Sequence, residues 1–333
     1  MSSTSAEPIY RDVLDPNNPA RRQELIKQIQ EVLGGKLITY TASPFHQFAL
    51  IMKQDALLIE DLLRSASDAS TGFLMLTSPG GDPNAAEKLL MMCRERFRER
   101  FKIIVPDYAK SAATLLALGS DEILMGYLAE LGPIDPQIST ASLPMGPLLP
   151  ARAFIDGLEN IRARITRDGD PPVMYVPMLS QIRPEVLAMC QSAIDESRAT
   201  AEKWLKRYML KDDPQQAERV ATWLSDGKTY RPHGKVINFE EAHDVLKLNA
   251  TKLDRTTTIW DKIWELYVRS IHFAQQSGVA KMFESEKVSL NMQIEVQIKT
   301  MPRPSPPTQE PPKPAPGPTR MYGPQTKDLG TRG

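Results

Sequence analysis

The chain holds only two cysteines, Cys93 and Cys190, among 333 residues. Both fall in apolar-patterned helical segments, which argues against a disulfide framework or a thiolate metal site and for buried thiols. A charge excess of one sign is missing as well, since 41 Lys and Arg balance 41 Asp and Glu. That balance argues against a binder driven by long-range attraction to phosphates, and no nucleic-acid partner is expected. No uncharged apolar run approaches the ~18 residues of a membrane span, and the start MSSTSAEPIYRD lacks a charged-then-apolar leader. A soluble, cytoplasmic protein with no integral membrane segment is the expectation. Glu240, Glu241 and His243 lack the H-E-x-x-H spacing, so neither a metal nor a cofactor is expected.

What is present centres on residues 72–111. Residues 73–77 and Ile103-Ile104-Val105 are apolar without alternation, which suits central strands of a parallel sheet covered on both faces. Between them Asp82 reads as an N-cap and Pro83 as a first-turn proline, while Ala86, Leu89, Leu90, Cys93 and Phe97 recur at helical spacing. Such a unit is a right-handed crossover, so both strands end at one sheet edge, where open α/β sheets bind ligands. Pro79-Gly80-Gly81 leaves the first strand there, and Ser111 follows the second, opening a small-residue helix. Glycines allow close approach of a substrate backbone and leave amide N–H groups to face an oxyanion. Taken singly, Gly80-Gly81 could be a plain turn and Ser111 a helix cap. The loop shows neither the Gly-Lys-Ser/Thr ending of a phosphate loop nor the G-x-G-x-x-G spacing of a dinucleotide site.

The blocks LTSPGGDPNAAE, VPDYAKSAATLLALGSDEILMG and LGPIDPQ resemble the serine dehydrogenase proteinase family, one of the Clp/signal-peptide-peptidase-like serine peptidases with a crotonase-like fold. The resemblance extends through MCQSAIDESRATAEKWLKRYML and the His233-Gly234 segment, roughly residues 36–299. It implies an α/β fold, a Clp/crotonase-like repeated ββα core with a parallel sheet flanked by helices, plus a helical C-terminal extension. It also implies Ser111 as nucleophile, with the oxyanion held by amides of Gly81 and Ala112. The Pro-flanked Asp135 is expected in a rigid loop that walls a substrate groove. Peptide or protein substrates and a homo-oligomer built through added helices are further expectations.

A serine hydroxyl needs a neighbouring base to take its proton. No histidine or lysine occurs between Ser111 and Lys203, where a Clp-type histidine or a signal-peptide-peptidase-type lysine would be sought. Arginines there stay protonated. His233, between a proline and a glycine in TYRPHGKVI, leads the candidates. Lys110 is next to the serine but its side chain should point away from it. Lys228 and Lys235 are further candidates, and the absence of any base stays open.

In the remaining chain, residues 1–16 read as a flexible N-terminus, residues 17–180 as the α/β core and 181–299 as a helical extension that carries the His233 loop. Residues 300–333 read as a disordered tail, because ten of the 28 prolines fall in 302–324. Lys36–Ala42 reads as a strand nearer the sheet edge, and a helix over 151–167 should pack over the sheet. A long helix over 184–210 reads either as an arm or as an ordinary surface helix. The expected activity is that of an ATP-independent serine endopeptidase. An inactive scaffold or peptide-binding protein of the same fold is the alternative, and acyl-thioester chemistry is the third reading.

Overall fold

The computed structural model describes residues 20–46, 49–66, 69–139, 148–180 and 183–293, and the expectations for residues 1–16 and 300–333 lie outside that range. The described residues belong to one compact unit. In chain order the elements are α1 (Arg21–Leu33), β1 (Lys36–Ala42), α2 (Asp55–Ser65), β2 (Thr71–Thr77), α3 (Pro83–Arg96) and β3 (Arg100–Val105). There follow β4 (Tyr108–Ala109), α4 (Ala112–Leu118), β5 (Glu122–Met125), β6 (Glu130–Leu131), β7 (Gln137–Ser139), β8 (Leu148–Pro150), α5 (Ala151–Ala163) and α6 (Val176–Leu179). The last are α7 (Pro184–Arg207), α8 (Pro214–Ser225), β9 (Ala250–Lys252), α9 (Thr258–Ser277), β10 (Lys281–Glu284) and β11 (Ser289–Met292).

Seven strands form one sheet in the order β11-β10-β1-β2-β3-β5-β9. Pairs from β1 to β9 are parallel, and the β10–β11 hairpin joins β1 antiparallel. The fold is therefore mixed α/β, with a parallel-dominated sheet flanked by helices. The unalternating strands follow from cover on both faces. Leu37, Phe73, Met75, Ile104 and Leu124 pack with α1 and α9, while Ile38, Leu74, Leu76, Ile103 and Ile123 pack with α2, α3 and α4. Asp82 caps α3 by accepting from the N–H of Asn84 at 2.9 Å, and Cys93 and Phe97 on its apolar stripe are fully buried. Burial pushes the Cys93 thiol up to about 12, so it is a packing group.

Two expectations are corrected. β1 is an interior strand, because the unanticipated β10–β11 hairpin covers the side on which its near-alternating pattern suggested an edge. α5 does not lie over the sheet. Its apolar face, with Phe154 and Ile155, packs on Val186, Cys190 and Ile194 of α7 in a cluster separate from the main core. An amphipathic stripe specifies that it must be covered but not by what. The C-terminal half of α7 does join the main core, through Ala201, Trp204 and Leu205.

Candidate active site

Parallel pairing of β2 with β3 brings their C-terminal ends to one edge, as the crossover requires. Beyond them the chain is knitted by main-chain bonds: the Ser78 N–H donates to Tyr108 O at 3.1 Å and the Lys110 N–H to Ser78 O at 3.0 Å. Ser111 is thereby placed beside Gly80. A Cβ on Gly80, where φ is +108°, would lie 2.7 Å from Ser111 Cβ and 2.8 Å from the Lys110 carbonyl. Only a glycine allows this approach.

Gly81 is equally constrained on its other side. Ile51 bridges it in parallel register, its N–H donating to Gly80 O at 2.8 Å and its carbonyl accepting from the Asp82 N–H at 2.9 Å. In a parallel bridge the central residue's own N–H points away from its partner. Among the described residues neither the Gly81 N–H nor the Ala112 N–H donates to a backbone carbonyl.

Ser111 opens α4 with φ +52° and ψ −121°, outside the regions that non-glycine residues ordinarily occupy. Its side chain makes no capping bond to the helix. The simple cap role is thus unfilled, and the strained backbone is maintained by the surrounding main-chain bonds. A sharp strand-to-helix turn of this kind exposes a side chain at the sheet edge.

The second part of the site comes from distant loops. His233 Nδ1 lies 2.6 Å from Asp135 Oδ1, across 98 residues of sequence. A carboxylate accepts, so Nδ1 carries the hydrogen, and in the neutral ring Nε2 keeps its lone pair. The Asp135 side chain is 4% exposed and that of His233 29%. Gln137 Nε2 donates to the other Asp135 oxygen at 3.2 Å. The loop bearing Asp135 is pinned on three sides: the Gly132 N–H donates to Thr114 Oγ1 at 3.0 Å, the Ile134 N–H to Leu224 O at 2.8 Å, and Ser197 Oγ to Ile134 O at 2.7 Å. Leu131 and Ile237 exchange main-chain bonds of 2.9 and 3.1 Å, which ties the segment after His233 to the same loop.

Ser111, Ala112, Gly81 and His233 line one cavity of about 400 Å³. Leu50, Leu115, Ile134, Ile138 and Leu148 supply its apolar wall, with Glu87 and Glu196 among its polar lining. Lys110 does not face it. Its ammonium lies 2.6 Å from Glu130 Oε2 and donates to Leu131 O at 3.0 Å. Lys228 and Lys235 are exposed and are not part of the cavity lining. The loop read from sequence as a groove wall lines the cavity through Ile134, Pro136 and Gln137, and its Asp135 is the carboxylate that contacts His233. The one signal in the sequence was an acidic residue locked between Pro133 and Pro136 with no cationic neighbour. Among the described residues no group of three or more His, Cys, Asp or Glu side chains is placed to hold a metal ion, and no helix is long and apolar enough to cross a membrane.

Residues 16–152 match the family described as ClpP-like SDH-type serine proteinase. Two uncharacterized proteins of Methanocaldococcus jannaschii are similar to the chain. One is 28% identical over 139 residues, covering 39% of this chain and 47% of the relative. The other is 34% identical over 101 residues, covering 30% of this chain and 34% of the relative. The chain thus spans less than half the length of these curated relatives. A solved structure, a mutant of a membrane-bound stomatin-specific protease, is similar over 61% of this chain and 75% of that one, at 15% identity and a TM-score of 0.39.

Proposed function

Residues 16–152 belong to the ClpP-like SDH-type serine proteinase family, and from that premise we propose that the protein hydrolyses peptide or amide bonds with Ser111 as nucleophile. The observation that carries this reading is the Asp135–His233 contact on a cavity that Ser111 also lines. As Ser111 Oγ attacks the scissile carbonyl, its proton passes to His233 Nε2. Asp135 holds the ring in the tautomer that can accept it and stabilises the imidazolium. The tetrahedral oxygen receives the N–H groups of Gly81 and Ala112, which among the described residues donate to no backbone carbonyl. His233 then protonates the leaving amine, the C–N bond breaks and an acyl-enzyme remains. Water, deprotonated by the same ring, attacks the ester and releases Ser111.

Lys110 is not the base in this reading. An ammonium held by a carboxylate and a carbonyl has no lone pair to offer. Peptide hydrolysis is downhill, and the residues named supply every proton transfer, so an endopeptidase that works without ATP is proposed. The apolar wall of the cavity suits an extended peptide or protein segment. The exposed Val173, Met174, Val176 and Met178 support association of the chain with copies of itself.

A fluorophosphonate probe tests the proposal. Labelling of the parent on Ser111, with none in Ser111→Ala and loss of peptide turnover in the same variant, is the expected result. A folded parent that is neither labelled nor active would favour the peptide-binding scaffold, and saturable coenzyme A binding would favour acyl-thioester chemistry.

A further inference from the structure

A second polar cluster lies wholly inside the protein. Tyr40 on β1, Asp55 at the start of α2 and Lys281 on β10 are each fully buried. Lys281 Nζ is 2.5 Å from Asp55 Oδ1 and donates to the Leu50 carbonyl at 2.8 Å. Tyr40 Oη donates to Asp55 Oδ2 at 2.7 Å, and the Met52 N–H donates to that same oxygen at 2.9 Å. Stability alone does not account for such a group, because packed apolar side chains of similar volume commonly serve a core as well as a buried ion pair.

What the cluster grips is the main chain on both sides of Ile51, namely the carbonyl before it and the N–H after it. Ile51 in turn spends its own N–H and carbonyl on Gly80 and Asp82. The three-residue segment is therefore a template between the buried ion pair and the glycine loop. Gly81 has no side chain with which to fix itself, and a Cβ there would lie 2.4 Å from the Ile51 nitrogen and oxygen. Its orientation is set by Ile51 together with the flanking Gly80, whose N–H donates to Ser78 Oγ at 3.1 Å, and Asp82, which caps α3.

We propose that Lys281, acting with Asp55 and Tyr40 through Leu50–Met52, is a positioning residue that aims the Gly81 N–H into the cavity. The inference rests on the serine-hydrolase reading for its catalytic meaning, though the geometry it describes is independent of activity. Lys281 touches no substrate. It acts through two main-chain layers, so its loss disturbs the transition state more than the binding of substrate.

The test is Lys281→Met, which keeps an unbranched side chain one atom shorter and removes both charge and donor. We expect kcat on a peptide substrate to fall about tenfold with KM within about twofold. Amide hydrogen exchange should accelerate at Ile51 and Asp82 by about tenfold or more, while interior amides of β2 and β3 keep their protection. Unchanged exchange at Ile51 and Asp82, or an equal rise across β1 to β3, overturns the proposal. The double variant Asp55→Asn/Lys281→Met separates positioning from general stability: it should recover Tm but not kcat, since the Leu50 carbonyl still lacks its lysine donor. Recovery of parental kcat would count against the proposal. If Lys281→Met does not fold, Tyr40→Phe decides on the same readouts, with about threefold changes expected and none overturning it. If the parent is neither labelled at Ser111 nor active, the hydrolase reading fails, and local exchange still decides the brace.

Discussion

The two halves of the site are built differently. The serine half (Gly80, Gly81, Ser111 and Ala112) lies where neighbouring strands end, and main-chain bonds from Ser78, Tyr108, Lys110 and Ile51 hold it. The histidine half joins residues 98 apart in sequence; main-chain bonds to Leu224 and between Leu131 and Ile237 tie its loops, but it also depends on side chains: Thr114 on Gly132, Ser197 on Ile134 and Asp135 on His233. Main-chain bonds are available to almost any sequence that forms the sheet, whereas each side-chain bond depends on one residue type. Apart from Ser111 itself and the buried Lys281 cluster behind Ile51, the serine half should therefore yield mainly to steric changes, and the histidine half should yield to single-atom ones.

The largest expected effect is on the proposed nucleophile. Ser111→Ala should reduce peptide turnover by about 10⁴-fold or more, with Tm nearly unchanged because the hydroxyl caps nothing. Substantial residual turnover would remove Ser111 from the mechanism. His233→Ala should approach the same loss if the two halves act as one unit.

Gly81→Val tests the steric claim. Its Cβ meets the Ile51 backbone, which cannot swing aside as a side chain tip could, so the loop must move. A loss of about 10²-fold or more in turnover is expected, with ~1–3 kcal/mol of stability. Normal activity in this variant would reduce the glycines to a turn.

Asp135→Asn is the single-atom change in the histidine half. It removes the preference for hydrogen on Nδ1, and turnover should fall by about 10²–10⁴-fold with little effect on KM. A value within threefold of the parent would make the Asp135–His233 bond structural only. Ser197→Ala should loosen the same loop more mildly, costing ~1 kcal/mol and a few-fold in kcat. An equal effect on probe labelling and on Tm would show that this half is no looser than the other.

The smallest effect is a control outside both halves. Lys36, whose Nζ lies 2.5 Å from Glu286 Oε1, and Gln30 hold the Glu286 carboxyl below the usual carboxylate range in spite of partial burial. A carboxyl with a depressed folded value contributes stability above its unfolded value of about 4.3. That contribution is lost as pH falls through the folded value. Acid unfolding followed by circular dichroism should show a shallower loss below about pH 4 in Lys36→Met, with turnover at neutral pH unchanged. An identical acid limb in both proteins would discount the pair.

Legibility follows the same divide as the two halves. The crossover from β2 through α3 to β3, the glycine loop and the serine opening α4 could all be read from the chain. Each is specified within a few residues, by an apolar run, a cap or a helical period. The β10–β11 hairpin is not legible in that way, nor is the pairing of α5 with α7 rather than with the sheet. The role of Lys281 is not legible there, because a lysine in a short strand reads as exposed and its burial depends on Asp55 and the Leu50 carbonyl, both distant in sequence.

Ser111 as nucleophile and Gly81 and Ala112 as amide donors were implied by the resemblance; by itself the sequence determined the strand–helix–strand frame and the shared sheet edge. These depend on local periodicity and on the handedness of parallel crossovers, which hold whatever the rest of the chain does. Only the tertiary structure decided that Asp135 faces His233, that Lys110 is turned to Glu130, and that Ile51 carries a link from a buried ion pair to Gly81. Those are choices of partner among side chains far apart in the chain, and which long-range contact closes depends on the packing of the whole unit.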